Sequence, residues 1–262
     1  MATAVKEKKI KSADRVLRIF EMFGPDRQSL TVMEVARALD VPQSSTSELL
    51  ASLVRQGYLA RDRRARAFRP TARISLLGAW VQPHLFRDGR LLPMVDNLQQ
   101  QTRLAVSLTS MVGVSLKHVH TTAGPIPAAL AQSEDADLLH SPFGHILLSL
   151  VRGEEVRKIV HRLNAGCDPE MHVRYLDLQA TLEQVNRQGF ATGKVAAGWS
   201  GIALLLPQGI DEEPLGVGVI GRTADIDARR DELVRTIRQN ISQYLGPRVA
   251  HESHDLRSVA MH

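Results

Sequence analysis

The chain predicts two folded parts: a small, mainly helical N-terminal domain of winged helix-turn-helix type and a larger α+β domain behind it. Three observations predict this. Residues 31–57 carry two helical hydrophobic stripes on either side of a proline-containing break. The excess of positive charge is confined to the residues around that break. Beyond residue 83, β-rich segments flanked by helices replace the mainly helical pattern.

The helix pair is the most specific part. Thr31 and Glu34 have capping-box spacing, in which the hydroxyl accepts from an orphan backbone N–H and the carboxylate accepts from the cap residue's own N–H. Val32, Val35, Ala36 and Leu39 then share one face. Asp40-Val41-Pro42 ends that helix, because the residue before a proline disfavours the α region. A second helix follows with Thr46, Leu49, Leu50 and Leu53 inward and Gly57 at its C-terminal end. Its opposite face shows Gln43, Ser44, Ser45, Ser47 and Glu48. A small polar face on a helix that starts directly after a turn is how a recognition helix approaches base edges in the major groove.

The flanking segments complete the domain. Ser12 is placed to cap a first helix whose face is Ala13, Val16, Leu17 and Phe20, ended by Gly24-Pro25-Asp26. After the pair, Tyr58–Ala60 and Ala67–Arg69 are short β-prone segments around a run holding Arg61, Arg63, Arg64 and Arg66. They read as a basic two-stranded wing whose tip lacks the usual turn glycine.

Charge separates the two parts. Residues 1–78 hold 15 Lys/Arg against 8 Asp/Glu, a net of +7, whereas residues 79–262 hold 18 against 20, a net of −2. A polyanion partner for the first part and a different task for the second follow. The 262 residues suffice for both cores. No apolar run approaches the roughly 18 residues of a spanning helix and no signal peptide opens the chain, so no membrane partner is expected. The single cysteine, Cys167, leaves no internal disulfide, which agrees with a cytoplasmic location.

The expected organisation is a basic arm over 1–11, the winged domain over 12–70, a linker helix over 71–83, the α+β domain over 84–246 and a polar tail over 247–262. The linker helix carries Ile74, Leu77 and Val81 on one stripe. Within the second domain the pattern predicts a helix at 92–102 and strands at 105–110 and 114–120. Helices at 142–151, 154–162 and 176–188 follow, then strands at 201–206 and 215–221 and a last helix at 226–245.

Catalytic and metal chemistry find little support. His118 and His120 share a strand face and Cys167 with His172 is isolated, so no ligand set has zinc spacing. Gly198-Trp199-Ser200-Gly201 lacks one spacer of the G-x-S-x-G elbow, and no phosphate-binding glycine loop occurs. The expectation is a non-enzyme with no catalytic residues, no cofactor and no metal.

Over residues 12–246 the sequence resembles the IclR family of bacterial transcription regulators. The resemblance rests on Ala13-Asp-Arg-Val-Leu17, Leu39-Asp-Val-Pro42-Gln-Ser-Ser45 and Leu49-Leu-Ala-Ser-Leu53-Val-Arg-Gln-Gly57-Tyr58-Leu59. Ile74-Ser-Leu-Leu-Gly78, Ser141-Pro-Phe-Gly144-His145, Gln188-Gly-Phe-Ala191, Pro207 and Ile241–Gly246 continue it in order. The resemblance implies a GAF-like second domain that binds a small-molecule effector. It also implies a homodimer or homotetramer and a partly palindromic double-stranded DNA operator whose repression or activation responds to the metabolite.

Two departures from the family pattern refine this. Gln43 and Glu48 stand where the family often has Lys and Arg, so base reading falls to Gln43, Ser44, Ser45 and Ser47, and backbone affinity to Arg63, Arg64 and Arg66, with Arg69 beside them. Gln pairs with adenine edges, which predicts an A·T-containing half-site. In the second domain Gly218 and Ile220 replace hydroxyls common in family members that sense small keto acids, and Ala203 replaces a cysteine. With Phe143, Gly144 and Trp199 these predict a less polar pocket, roomier at Gly218, for an apolar or aromatic effector whose carboxylate meets His145, Lys194 or Arg222. Two other readings stay open: a constitutive DNA-binding protein with a non-sensing oligomerisation domain, and a protein–protein adaptor that uses the winged helix without DNA.

Overall fold

The computed structural model describes residues 11–24, 27–62, 64–78, 89–127, 137–207 and 213–246. They form two compact units, within Met1–Gln82 and Pro83–His262. The basic arm before Lys11, the Pro25-Asp26 pair, Arg63, the end of the expected linker helix and the tail from 247 lie outside the described residues.

The first unit runs α1 (Lys11–Glu21), β1 (Leu30–Thr31), α2 (Val32–Leu39), α3 (Gln43–Arg55), β2 (Leu59–Asp62), β3 (Ala67–Pro70) and α4 (Ala72–Gly78). The capping box forms: Thr31 N–H donates to Glu34 Oε2 at 2.7 Å, and Glu34 N–H donates to Thr31 Oγ1 at 3.3 Å. Asp40 takes a left-handed conformation, φ 50°, to leave α2. Gly57, φ 80°, does the same beyond α3. The wing strands pair antiparallel, and β1 adds a third strand on β3, in the order β1-β3-β2. That two-residue strand carries no sequence signature of its own.

Ile19, Leu30, Val35, Leu39, Leu50, Leu53, Leu59 and Phe68 make the core of this unit. The expected face of α1 needs correction. Ile19 is fully buried with Val16 and Phe20 packed beside it, while Leu17 is 62% exposed. Both sets satisfy a helical stripe, and only packing decides between them. Ser12 lies inside α1 rather than ahead of it.

The second unit runs α5 (Leu91–Thr102), β4 (Ala105–Val112), β5 (Ser115–Thr121), α6 (Pro142–Leu148), α7 (Gly153–Asn164) and α8 (Tyr175–Gln188). There follow β6 (Ala191–Ala196), β7 (Trp199–Leu205), β8 (Leu215–Arg222), α9 (Thr223–Ala228) and α10 (Arg230–Leu245). The strands form one antiparallel sheet ordered β5-β4-β8-β7-β6. β6 was not anticipated, since Ala-Thr-Gly-Lys-Val-Ala has few β-branched residues. The long last helix is two helices, broken at Arg229 (φ −112°, ψ 14°), whose guanidinium donates to Thr102 O and to Glu232.

Each face of the sheet is covered. On one, Val106, Leu108, Ile202, Leu204, Val217 and Val219 meet Leu91, Met94 and Leu98 of α5 and Leu233 and Ile237 of α10. On the other, Ala105, Leu116, Ala203 and Ile220 meet Phe143 and Ile146 of α6. The period-two alternation of strand side chains sorts residues between the two cores. No helix among the described residues is long and apolar enough to cross a membrane.

Candidate functional site

Two surfaces carry the expected functional residues, one in each unit. In the first, α2 and α3 meet at a tight turn in which Val41 N–H donates to Ala36 O at 3.1 Å. Thr46, only 1% exposed, donates its hydroxyl to Pro42 O at 3.1 Å and so fastens the start of α3 to the turn. Thr46, Leu50 and Leu53 are buried; Gln43, Ser44, Ser45, Ser47 and Glu48 are exposed. The four expected base-reading residues therefore stand in solvent on the first two turns of a helix anchored from behind. No side chain caps α3, so its first N–H groups remain open to an acceptor from outside the helix.

The wing closes without glycine. Asp62 Oδ1 accepts from Arg64 N–H at 2.9 Å and from Ala65 N–H at 3.1 Å, which holds its carboxyl below the usual range. Arg66 takes the left-handed conformation a glycine would ordinarily supply, φ 50°. Arg64, Arg66 and Arg69 are exposed, giving the hairpin a row of guanidinium groups. Arg63 lies outside the described residues.

In the second unit the α6 side of the sheet is lined by small residues, Gly201, Ala203, Gly216 and Gly218, which let the helix lie close to the strands. Ser141 caps α6 by accepting from Gly144 N–H, and Pro142 takes its first position. A Cβ on Gly144 would overlap the Leu138 carbonyl, so this glycine is required by close backbone approach. Phe143 is fully buried, with its ring on Gly201 and Gly218 and its edge 5.5 Å, centroid to centroid, from His118.

The expected roominess at Gly218 is therefore corrected. A Cβ there would stand 2.7 Å from Phe143 Cε1 and would overlap Ile202 O, because the aromatic ring fills the space that the missing side chain leaves. Phe143, Gly144, Ala203, Gly218 and Ile220 do come together around this seat. Trp199 lies on the same face at its margin, with the Arg222 guanidinium 4.3 Å over its ring.

The expected carboxylate partners fare differently. Lys194 shares a strand with Ala191, Gly193 and Val195, which face α6, so alternation turns Lys194 to the other side, where it is exposed. His145 is mostly buried, with its Nε2 bonded at 2.7 Å to Leu139 O, and burial holds its pKa below the ordinary value. Its ring is committed to the Leu139 carbonyl, and its burial disfavours the cation.

Sequence reasoning did not identify the polar lining of this face. Ser107 Oγ bonds His118 Nδ1 at 2.6 Å and Thr121 Oγ1 at 2.9 Å. The Thr109 hydroxyl is buried and has no hydrogen-bond partner. Burial also holds the His118 pKa below its ordinary value. The signal was present: Ser107 and Thr109 alternate with the buried Val106 and Leu108, a polar lining on a strand covered on both sides. His118 and His120 do not act together, because a register shift pairs His118 with Thr109 and His120 with Leu108. Among the described residues no group of three or more His, Cys, Asp or Glu is able to hold a metal ion. An open cleft of about 430 Å³ lies elsewhere in this unit, bordered by Leu139, His140, Leu163, Cys167 and Met171.

The sequence model of the IclR helix-turn-helix domain matches residues 12–63, from α1 to the first wing strand. No curated protein matches the chain significantly. Among solved structures, the IclR protein of Thermotoga maritima is 17% identical with a TM-score of 0.57, and the match covers 90% of this chain and 98% of that one. An IclR transcriptional regulator from Alicyclobacillus acidocaldarius is 15% identical, with the same TM-score of 0.57 and coverage of 90% and 98%. An IclR homologue from Microbacterium hydrocarbonoxydans, complexed with 4-hydroxybenzoate, is 18% identical with a TM-score of 0.54 and coverage of 88% and 99%. Residues 12–63, the capped helix pair with its first wing strand, thus match the IclR helix-turn-helix domain, and the chain as a whole shares the fold of these solved IclR structures.

Proposed function

We propose that this protein is a sequence-specific DNA-binding transcription regulator whose operator binding is modulated by a small apolar or aromatic acid. One observation carries the DNA half of the proposal. A helix anchored from behind by Thr46 presents Gln43, Ser44, Ser45 and Ser47 to solvent beside a wing lined with Arg64 and Arg66. That arrangement suits a recognition helix in a major groove with a wing on the phosphates. A dimer or tetramer would set two such helices about one helical turn apart on a palindromic operator.

The effector half rests on the seat between α6 and the sheet. Its lining of Phe143, Ala203, Gly218 and Ile220 is apolar, with the Ser107–His118 pair at one side. The IclR homologue from Microbacterium hydrocarbonoxydans complexed with 4-hydroxybenzoate supports an aromatic acid as the class to test first. The Phe143 ring in that seat favours a second reading, a constitutive DNA binder whose second domain only oligomerises.

The test is a titration of the purified protein against its own upstream intergenic DNA, at two salt concentrations, with and without a panel of aromatic and aliphatic acids. Selective, salt-sensitive binding that one acid shifts is the expected result. Selective binding indifferent to every acid favours the constitutive binder, and no selective binding overturns the regulator.

A further inference from the structure

At about 100° per residue, the side of α3 opposite the buried Thr46, Leu50 and Leu53 is centred on Ser44, Glu48, Ala51 and Arg55, with Ser45 and Ser47 on its flanks. Glu48 therefore stands at the middle of the outward face, one turn beyond Ser44. It makes no ion pair and no side-chain hydrogen bond with any described residue. Its nearest helical neighbours at three and four residues, Ser44, Ser45, Ala51 and Ser52, carry no cation.

A lone carboxylate at the centre of a surface meant for a polyanion is a conflict unless it has a particular partner. Phosphates repel it, and so do most base edges. In the major groove guanine offers N7 and O6, both acceptors, and thymine offers O4. Adenine's N6 amine lies beside the acceptor N7. Cytosine alone presents an N4 amine with no acceptor on the same base, and Glu accepts from it.

We propose that Glu48 is a specificity-determining residue that requires a cytosine at one position of each half-site, by accepting from its N4 amine. It rejects guanine and thymine by setting a carboxylate against their acceptor atoms, so part of the discrimination is repulsive. The operator half-site then combines an adenine read by Gln43 with a cytosine read by Glu48 nearer the middle of the helix. This rests on the DNA-binding reading above.

The experiment is selection from a pool of duplexes randomised over one half-site, with the wild-type protein, Glu48→Ala and Glu48→Gln, followed by affinity measurements on the selected sites. All three side chains are exposed on a helix surface, so folding is common to the set. Wild type is expected to select C at one position of each half-site with about tenfold preference. Glu48→Ala should lose that preference alone while binding unselected DNA more tightly, because a repulsive charge is gone. Glu48→Gln should move the preference at that position to A. If Glu48→Ala tightens all sequences equally and leaves every positional preference intact, Glu48 is only a solvated charge and the assignment fails. If wild type selects no sequence, the DNA-binding reading itself fails and this one with it.

Discussion

The ring of Phe143 occupies the place where Gly218 has no side chain: Cε1 would be 2.7 Å from a Cβ at that glycine. One residue on α6 and one on β8 are complementary, a large ring against an absent side chain. The seat expected to admit an effector is held by the protein's own aromatic group.

Removing that group should be costly. Phe143→Ala vacates a fully buried ring and is expected to lower stability by about 3–5 kcal/mol in urea unfolding of the full chain. The void should accept benzene or phenol, read as recovered stability at saturating ligand. No recovery, with the loss confirmed, would mean that α6 collapses onto the sheet.

Gly218→Ala should destabilise by about 1–3 kcal/mol, because the new methyl meets both the Phe143 ring and the Ile202 carbonyl. Pairing it with Phe143→Ala relieves only the ring contact. The double variant should therefore recover part of the loss, measured as coupling in a double-mutant cycle.

Acid should weaken the second domain. Burial holds His118 and His145 below their ordinary 6.5, so both stay neutral while the unfolded chain takes up protons. Their contribution is full above about pH 6.5 and declines as the pH falls towards their folded values. Urea midpoints from pH 8 to pH 5 should show that decline, and His118→Gln should flatten it.

Thr31→Ala removes the cap of α2 and should cost about 1 kcal/mol of stability in the same unfolding measurement. Hydrogen bonds from Thr31 hold the Glu34 carboxyl below its ordinary 4.5. That stabilisation is present above about pH 4.5 and is lost as the pH drops through the lower folded value. The group is exposed, so the effect is small. Glu34→Gln should keep the capping box but lose this acid dependence.

On the wing, Arg64→Ala should weaken binding to all DNA sequences alike and reduce the slope of log affinity against log salt by about one. Loss confined to one base position would make Arg64 a base reader instead.

The helix-turn-helix was legible because its boundaries are local: Thr31 with Glu34, Asp40 before Pro42, and Gly57 are each recognised from their neighbours in sequence. What was not legible depends on distant partners. β1 exists because Leu30 finds Phe68 and Thr31 finds Ala67. The inward turn of Ile19 in place of Leu17, and the break at Arg229, likewise answer to packing rather than pattern. The same limit applies in the expected effector seat. Its small residues were found, but the register of β6 that turns Lys194 away, and the ring that fills the gap at Gly218, belong to the assembled sheet.

The two residues of β1 have a practical consequence for anyone rewiring this protein. Leu30 and Thr31 pair with the second wing strand and Thr31 also starts α2, so wing and helix pair share one joint. Specificity grafts that transplant α2 and α3 alone would sever that joint at both ends. A portable reading head has to be cut outside residues 30–70, as a single cassette, and the borrowed wing must travel with the borrowed helix.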